Sequence, residues 1–232
     1  GNTNALVLNN ANSKLLLNSI TVGSASTSSD SLGLDVDGDS TVTSLSVGHI
    51  TPVSIASNKT LSGAVTVSAG LLRLNETGTL ASTIAMSGGT LDSDESSTVS
   101  GALSHTADIE IDVATSKTLT YSGAAISLGA NTITLSGGGS LVSGGLTLND
   151  ADSKLLLNSI TLDSASTSAD SLGLDVDNNS TITALSVGHI TPVSIAAGKS
   201  LSGAIGVTAG SLKLNETGTL ASTIAMSGGT LD

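Results

Sequence analysis

The nineteen letters LNETGTLASTIAMSGGTLD occur twice without a change, at 74–92 and at 214–232, and they are the invariant end of a longer duplication. Residues 6–92 recur as 146–232 with 69 of 87 aligned positions identical, a displacement of 140 residues. Among the exchanges, Val22 becomes Leu162, Val42 becomes Ile182, Val65 becomes Ile205 and Arg73 becomes Lys213. A period of 140 residues is too coarse to be the structural unit, so a shorter one is expected inside it.

A shorter signal is present: a small or charged residue, then Thr or Ser, then an aliphatic anchor. The anchors are Val42, Leu61, Leu80, Val99, Leu119, Leu141, Ile182, Leu201 and Leu220, with degenerate copies at Leu17 and Leu157. Seven units between Val42 and Ile182 make up the 140 residues, which is about 20 residues per unit. Within a unit the apolar residues alternate with period 2, as in AVTV, TIAM and IEIDV, and no 3.6-residue rhythm occurs. Ala69-Gly70, Gly88-Gly89, Ala130-Asn131 and Gly144-Gly145 punctuate these runs with residues suited to sharp corners. Three short strands per unit, returning to their start after about 20 residues, describe one coil of a triangular β-solenoid. The expectation is all-β, about 11 coils in one continuous solenoid over 1–232, with seven coils per 140-residue repeat.

Composition supports a thin core. The chain has no Phe, Trp or Cys and one Tyr, Tyr121, so its interior must be filled by Leu, Ile, Val and Ala. One such coil buries too little apolar surface to offset the ordering of its own backbone, whereas stacked coils close the core above and below one another. Identical text then supplies matching surfaces. A net charge of -12 and the missing aromatic platforms argue against nucleic acid as a partner. No apolar run approaches the roughly 18–20 residues of a membrane-spanning helix, so no membrane insertion is expected of this segment. Without a signal-like start, and ending inside its own repeat, the chain reads as a piece of a longer protein.

The segments ITLSGGGSLVSGGLTLND and VSAGLLRLNETGTLASTIAMSGGTLD resemble the glycine-punctuated strand repeats of bacterial autotransporter passengers and haemagglutinin-like surface adhesins. The resemblance spans nearly the whole chain. It implies a right-handed parallel β-helix, secretion to the extracellular space or cell surface, and a structural role in adhesion. The expected partners are neighbouring repeats or other copies end to end, and a cell or host surface.

Most of the 19 acidic residues, among them Asp35, Asp37, Asp39, Glu76, Asp92 and Glu216, fall at or just after the third strand. Lys14, Lys59, Lys117, Lys154 and Lys199 lie just before the anchors, where stacking would interleave them with the acids. A solvated acidic edge is one reading. Calcium is the other: DVDGDS offers Asp35, Asp37 and Asp39, and DVDNNS offers Asp175 and Asp177, as alternating hard oxygens, although neither an EF-hand nor the nonapeptide calcium repeat is matched. No other cofactor is required.

Thr41, Thr60, Thr79, Thr98, Thr118, Ser140, Thr181, Ser200 and Thr219 form a second outward series, which suits exposed strands and leaves ice binding as an alternative function. His49, His105 and His189 lack a GxSxG elbow nearby, and His49 and His189 precede Pro52 and Pro192 at an expected corner. NKT and NET are Asn-x-Thr triplets of the kind an Asn- and Thr-rich chain contains. The reading is therefore non-enzymatic: a structural segment of a long extracellular adhesin or fibre. A self-assembling filament and a glycan-cleaving β-helix enzyme are the competing alternatives.

Overall fold

A computed structural model describes residues 6–215 and 217–232; Glu216 lies outside them. The described residues form parallel strands and turns and no helix, stacked in coils of about 20 residues as a β-solenoid. None of the described residues belongs to a helix long and apolar enough to cross a membrane. The chain divides into two compact units, Gly1–Ala124 and Ala125–Asp232.

In the first unit each coil contributes to two parallel sheets. Sheet A runs through Leu6–Leu8, Thr21–Thr27, Ser40–Val47 and Thr60–Val67, and then continues through split pairs such as Thr79–Leu80 with Thr83–Met86. Sheet B runs through Lys14–Leu17, Gly33–Val36, Ile50–Ile55, Leu71–Leu74, Thr90–Ser93 and Ile109–Val113. The second unit repeats the arrangement, with Thr161–Thr167, Ser180–Val187, Ser200–Val207 and Thr219–Met226 in sheet A and Lys154–Leu157, Gly173–Val176, Ile190–Ile195 and Ser211–Leu214 in sheet B.

The three expected strands per coil are present as three segments, but two of them are halves of one bent strand. In Ser40–Val47 the inward residues are Val42, Leu45 and Val47, and the consecutive outward pair Thr43 and Ser44 marks the bend. Pairing with Thr60–Val67 slips there, between Val42 and Leu45, so that one strand carries an extra residue at the corner. Gly63 makes the bend possible: its φ is 128°, and a Cβ would lie 1.8 Å from the Val42 carbonyl oxygen. Gly203 repeats this against Ile182 in the second unit.

The core is a column of aliphatic side chains in register. Leu61 pairs with Leu80 and Leu80 with Val99, each at most 1% exposed. Next on the column is Tyr121 rather than Leu119, because Thr98 pairs with Thr120 and Val99 with Tyr121. The only aromatic residue is thus buried in the core, and its hydroxyl accepts a hydrogen bond from the Leu103 N–H at 2.9 Å.

Several anchors shift in the same way. Leu17 and Leu157 belong to sheet B, paired with Val36 and Val176, and the sheet A neighbours of Val42 and Ile182 are Val22 and Leu162. Leu61 and Leu201 stack on Ser40 and Ser180, while Val42 and Ile182 face Gly63 and Gly203. Pro52 and Pro192 lie inside the strands Ile50–Ile55 and Ile190–Ile195 instead of at corners. Gly33 makes room for Pro52: its φ is 77°, and a Cβ would meet the Pro52 carbonyl oxygen at 1.8 Å.

Because Leu80 is sealed between two coils, Leu80→Ala is expected to cost about 2–5 kcal/mol, and Leu16→Ala, whose side chain points outward and is 67% exposed, within about 0.5 kcal/mol. Denaturant midpoints of the two variants check this; equal shifts would mean that the stacked column is not the core.

Candidate functional site

The outward face of sheet B collects the charged residues. Strand alternation points Arg73, Asp92 and Asp112 outward, and parallel register sets them one above another: Arg73 pairs with Asp92, and Asp92 with Asp112. The Arg73 Nε–H donates to Asp92 Oδ2 at 2.7 Å, and the same nitrogen lies 3.4 Å from Asp94 Oδ2. Asp92 is buried by the coils on either side. That burial raises its carboxyl above the usual range, although Arg73 pulls in the opposite direction. The hydrogen bond to Asp92 in turn raises the Arg73 guanidinium, so that it stays fully charged.

Similar ion pairs join successive coils elsewhere. Lys14 reaches Asp35 and Lys117 reaches Glu95 in the first unit, and Lys154 reaches Asp175 at 2.8 Å in the second. These are three of the five lysines whose interleaving the sequence predicts; Lys59 and Lys199 are not among these pairs. Their side chains are about a third or more exposed in part, so each pair contributes modestly and mainly prevents stacked carboxylates from repelling one another.

The DVDGDS carboxylates are dispersed among separate partners. Asp35 is held by Lys14, Asp37 is exposed, and Asp39 Oδ1 accepts the Thr60 N–H of the next coil at 2.9 Å. In DVDNNS, Asp175 is held by Lys154, and Asp177 is exposed. Among the described residues no three His, Asp or Glu side chains are grouped so as to hold a metal ion.

The role of Asp39 was hidden in the sequence. At the equivalent position Asn179 Oδ1 accepts the Ser200 N–H at 3.0 Å, so a neutral amide does the same work. Asp30 and Asp170 likewise accept the Ile50 and Ile190 N–H groups at 3.0 and 2.9 Å. These side chains fasten each coil to the backbone of the next at its corner, where the ladder is interrupted. The available signal was the tolerated exchange of Asp39 for Asn179 between copies, which metal ligation by charge does not predict.

His49 and His189 sit at these same corners. His49 Nδ1 lies 3.9 Å from Asp30 and His189 Nδ1 lies 3.8 Å from Asp170, all with exposed side chains. His105 Nδ1 is 3.1 Å from the Ala107 carbonyl oxygen. The threonine series is broken by the register: Thr60, Thr79, Thr98 and Thr120 stack, but Thr41 pairs with Ser62. On sheet A of the second unit an open groove of about 510 Å³ crosses Ser164, Ala184, Ala204 and Thr223, and no acid or histidine lines it.

Two predictions test these assignments. Asp39→Asn should leave stability within about 0.5 kcal/mol of the native chain, whereas Asp39→Ala, which orphans the Thr60 N–H, should cost about 1 kcal/mol; denaturant titration separates them. The second concerns pH. With the folded carboxyl of Asp92 raised above its unfolded value, the folded chain takes up the proton more readily. The stability of the native chain relative to Asp92→Asn should therefore rise as pH falls through the raised value and level off below the unfolded value of about 4. In an Arg73→Gln background the rise should start at higher pH, which melting curves across pH 7 to 3 (about the carboxylate range) measure.

No family model, curated protein or solved structure matches the chain.

Proposed function

We propose that this chain is a structural segment of a long extracellular adhesin or fibre, providing reach and stiffness at a cell surface. What supports the reading most is the coil-on-coil stacking within each unit: an aliphatic column, as at Leu61, Leu80 and Val99 in the first, with backbone ladders on two sheets. A load along the stacking direction is spread over many parallel hydrogen bonds, and each added coil extends the stack by about 4.8 Å. The charged and hydroxyl groups described above serve this reading as fasteners between coils and as a soluble coat. The sequence resemblance to surface adhesins supplies the location and the attachment role.

Display of the chain on an inert bacterial surface through a fused anchor tests the proposal. The expected result is a thicker surface layer and increased attachment of the cells to host-cell or solid surfaces. Unchanged layer height together with unchanged attachment would overturn it, and filaments formed by the purified chain alone in electron micrographs would favour self-assembly instead.

A further inference from the structure

We infer that the protein binds one buried water molecule at an inner corner of each copy, where it bridges the hydroxyl of Ser31 to the Thr27–Thr51 pair and the hydroxyl of Ser171 to Thr167 and Thr191. In the first unit the corner lies between the end of the sheet A strand Thr21–Thr27 and the start of the next coil's sheet B strand, Ile50–Ile55. Hydroxyls point inward there, whereas the next two sheet A strands end on the buried Val47 and Val67.

Thr51 Oγ1 lies 3.2 Å from Thr27 Oγ1 and 3.1 Å from the His49 carbonyl oxygen, and Thr27 Oγ1 accepts the Gly48 N–H at 3.2 Å. The proton of the Thr27 hydroxyl has the Ser46 carbonyl oxygen at 3.5 Å, the outer limit of a hydrogen bond. Leu8 of the preceding coil pairs with Thr27, and Leu72 of the following coil with Thr51, so aliphatic side chains seal the group from both sides.

Ser31 completes the corner. Its N–H donates to the Ile50 carbonyl oxygen at 3.2 Å, which sets it over the Ile50–Thr51 end of the next coil. The residue is 8% exposed, yet its Oγ has no hydrogen-bond partner in the protein. The second copy repeats this independently. Ser171 N–H donates to the Ile190 carbonyl oxygen at 3.2 Å, and Ser171 Oγ is again enclosed without a partner. Thr167 Oγ1 accepts the Gly188 N–H at 3.0 Å, the Thr191 hydroxyl donates to the His189 carbonyl oxygen at 3.1 Å, and Leu148 and Leu212 are the stacked leucines.

An enclosed hydroxyl left without a partner destabilises a fold, and alanine would relieve it. The loop admits that exchange two residues earlier, where Ser29 becomes Ala169, but Ser31 is kept as Ser171. A water with about three polar partners resolves the conflict: it donates to the serine oxygen and accepts from a threonine hydroxyl. The charge fits water better than a metal ion. The enclosed groups are neutral, and the adjacent Asp30 carboxylate is exposed and accepts the Ile50 N–H. The inference does not depend on the adhesin reading.

A crystal structure of the 232-residue chain at a resolution that shows ordered water tests the site, with the denaturant midpoints of Ser31→Ala and Ser171→Ala measured beside it. The expected map places one water within hydrogen-bond distance of Ser31 Oγ and of Thr27 or Thr51 Oγ1, and a second at Ser171. Each alanine variant keeps the backbone N–H that reaches Ile50 or Ile190 and should lower the midpoint, because it takes a partner from the water; Ser29→Ala should leave the midpoint in place. No water at Ser31 or at Ser171, or a midpoint that rises or stays unchanged in Ser31→Ala, would overturn the inference.

Discussion

The vertical contact between like side chains on successive coils is the interaction from which the remaining features follow. A core without Phe or Trp gains little from any single residue, so the column must be continuous. Leu80 is sealed because Leu61 lies on one side of it and Val99 on the other. Remove the neighbours and the same side chain would face water. Stability thus belongs to interfaces between coils more than to coils, which is the energetic pattern of a one-dimensional array.

A column of this kind constrains register, and the corners absorb what the strands cannot. Stacked partners are separated by 19 residues from Leu61 to Leu80, by 20 from Val22 to Val42 and by 22 from Val99 to Tyr121. The difference is taken up where Gly63 and Gly203 bend the chain and where sheet A splits into two short strands. Elsewhere the adjustment falls on the first residues of strands, Ile50, Thr60, Ile190 and Ser200, whose backbone N–H groups look to side chains for acceptors. Asp30, Asp39, Asp170 and Asn179 supply them from the side, which explains polar residues at corners of a chain whose other outward positions are mostly Ser and Thr.

The coil length, the strand type and the aliphatic core were legible in the sequence because all three are periodic. Which residue stacks on which was not. A strand shifted by two residues keeps the same side chains inward, so alternation alone cannot distinguish Leu119 from Tyr121 as the neighbour of Val99, or Val42 from Ser40 as the neighbour of Leu61. Only the number of residues spent in the corners fixes that choice. The same limit applies to the partners of the carboxylates: Lys14 reaches Asp35 and the Thr60 N–H reaches Asp39 from strands about 20 residues away in sequence. The interleaving of lysines was readable, since it needed only the phase of the coil.

The exchanges between the two copies separate what the column fixes from what it leaves free. Among the sheet A residues that stack in register, Val22, Val42 and Val65 are replaced by Leu162, Ile182 and Ile205, which changes volume by a methyl group or so and leaves chemistry alone. Outward residues change in kind: Asn58 to Gly198, Thr66 to Gly206, Leu71 to Ser211. Arg73 keeps its charge as Lys213 but loses the planar fork suited to bidentate pairing with a carboxylate. Other outward residues are kept, as throughout the identical stretches 74–92 and 214–232, so the exchanges mark single outer positions that tolerate a change of chemistry, whereas the stacked interior admits only a change of volume.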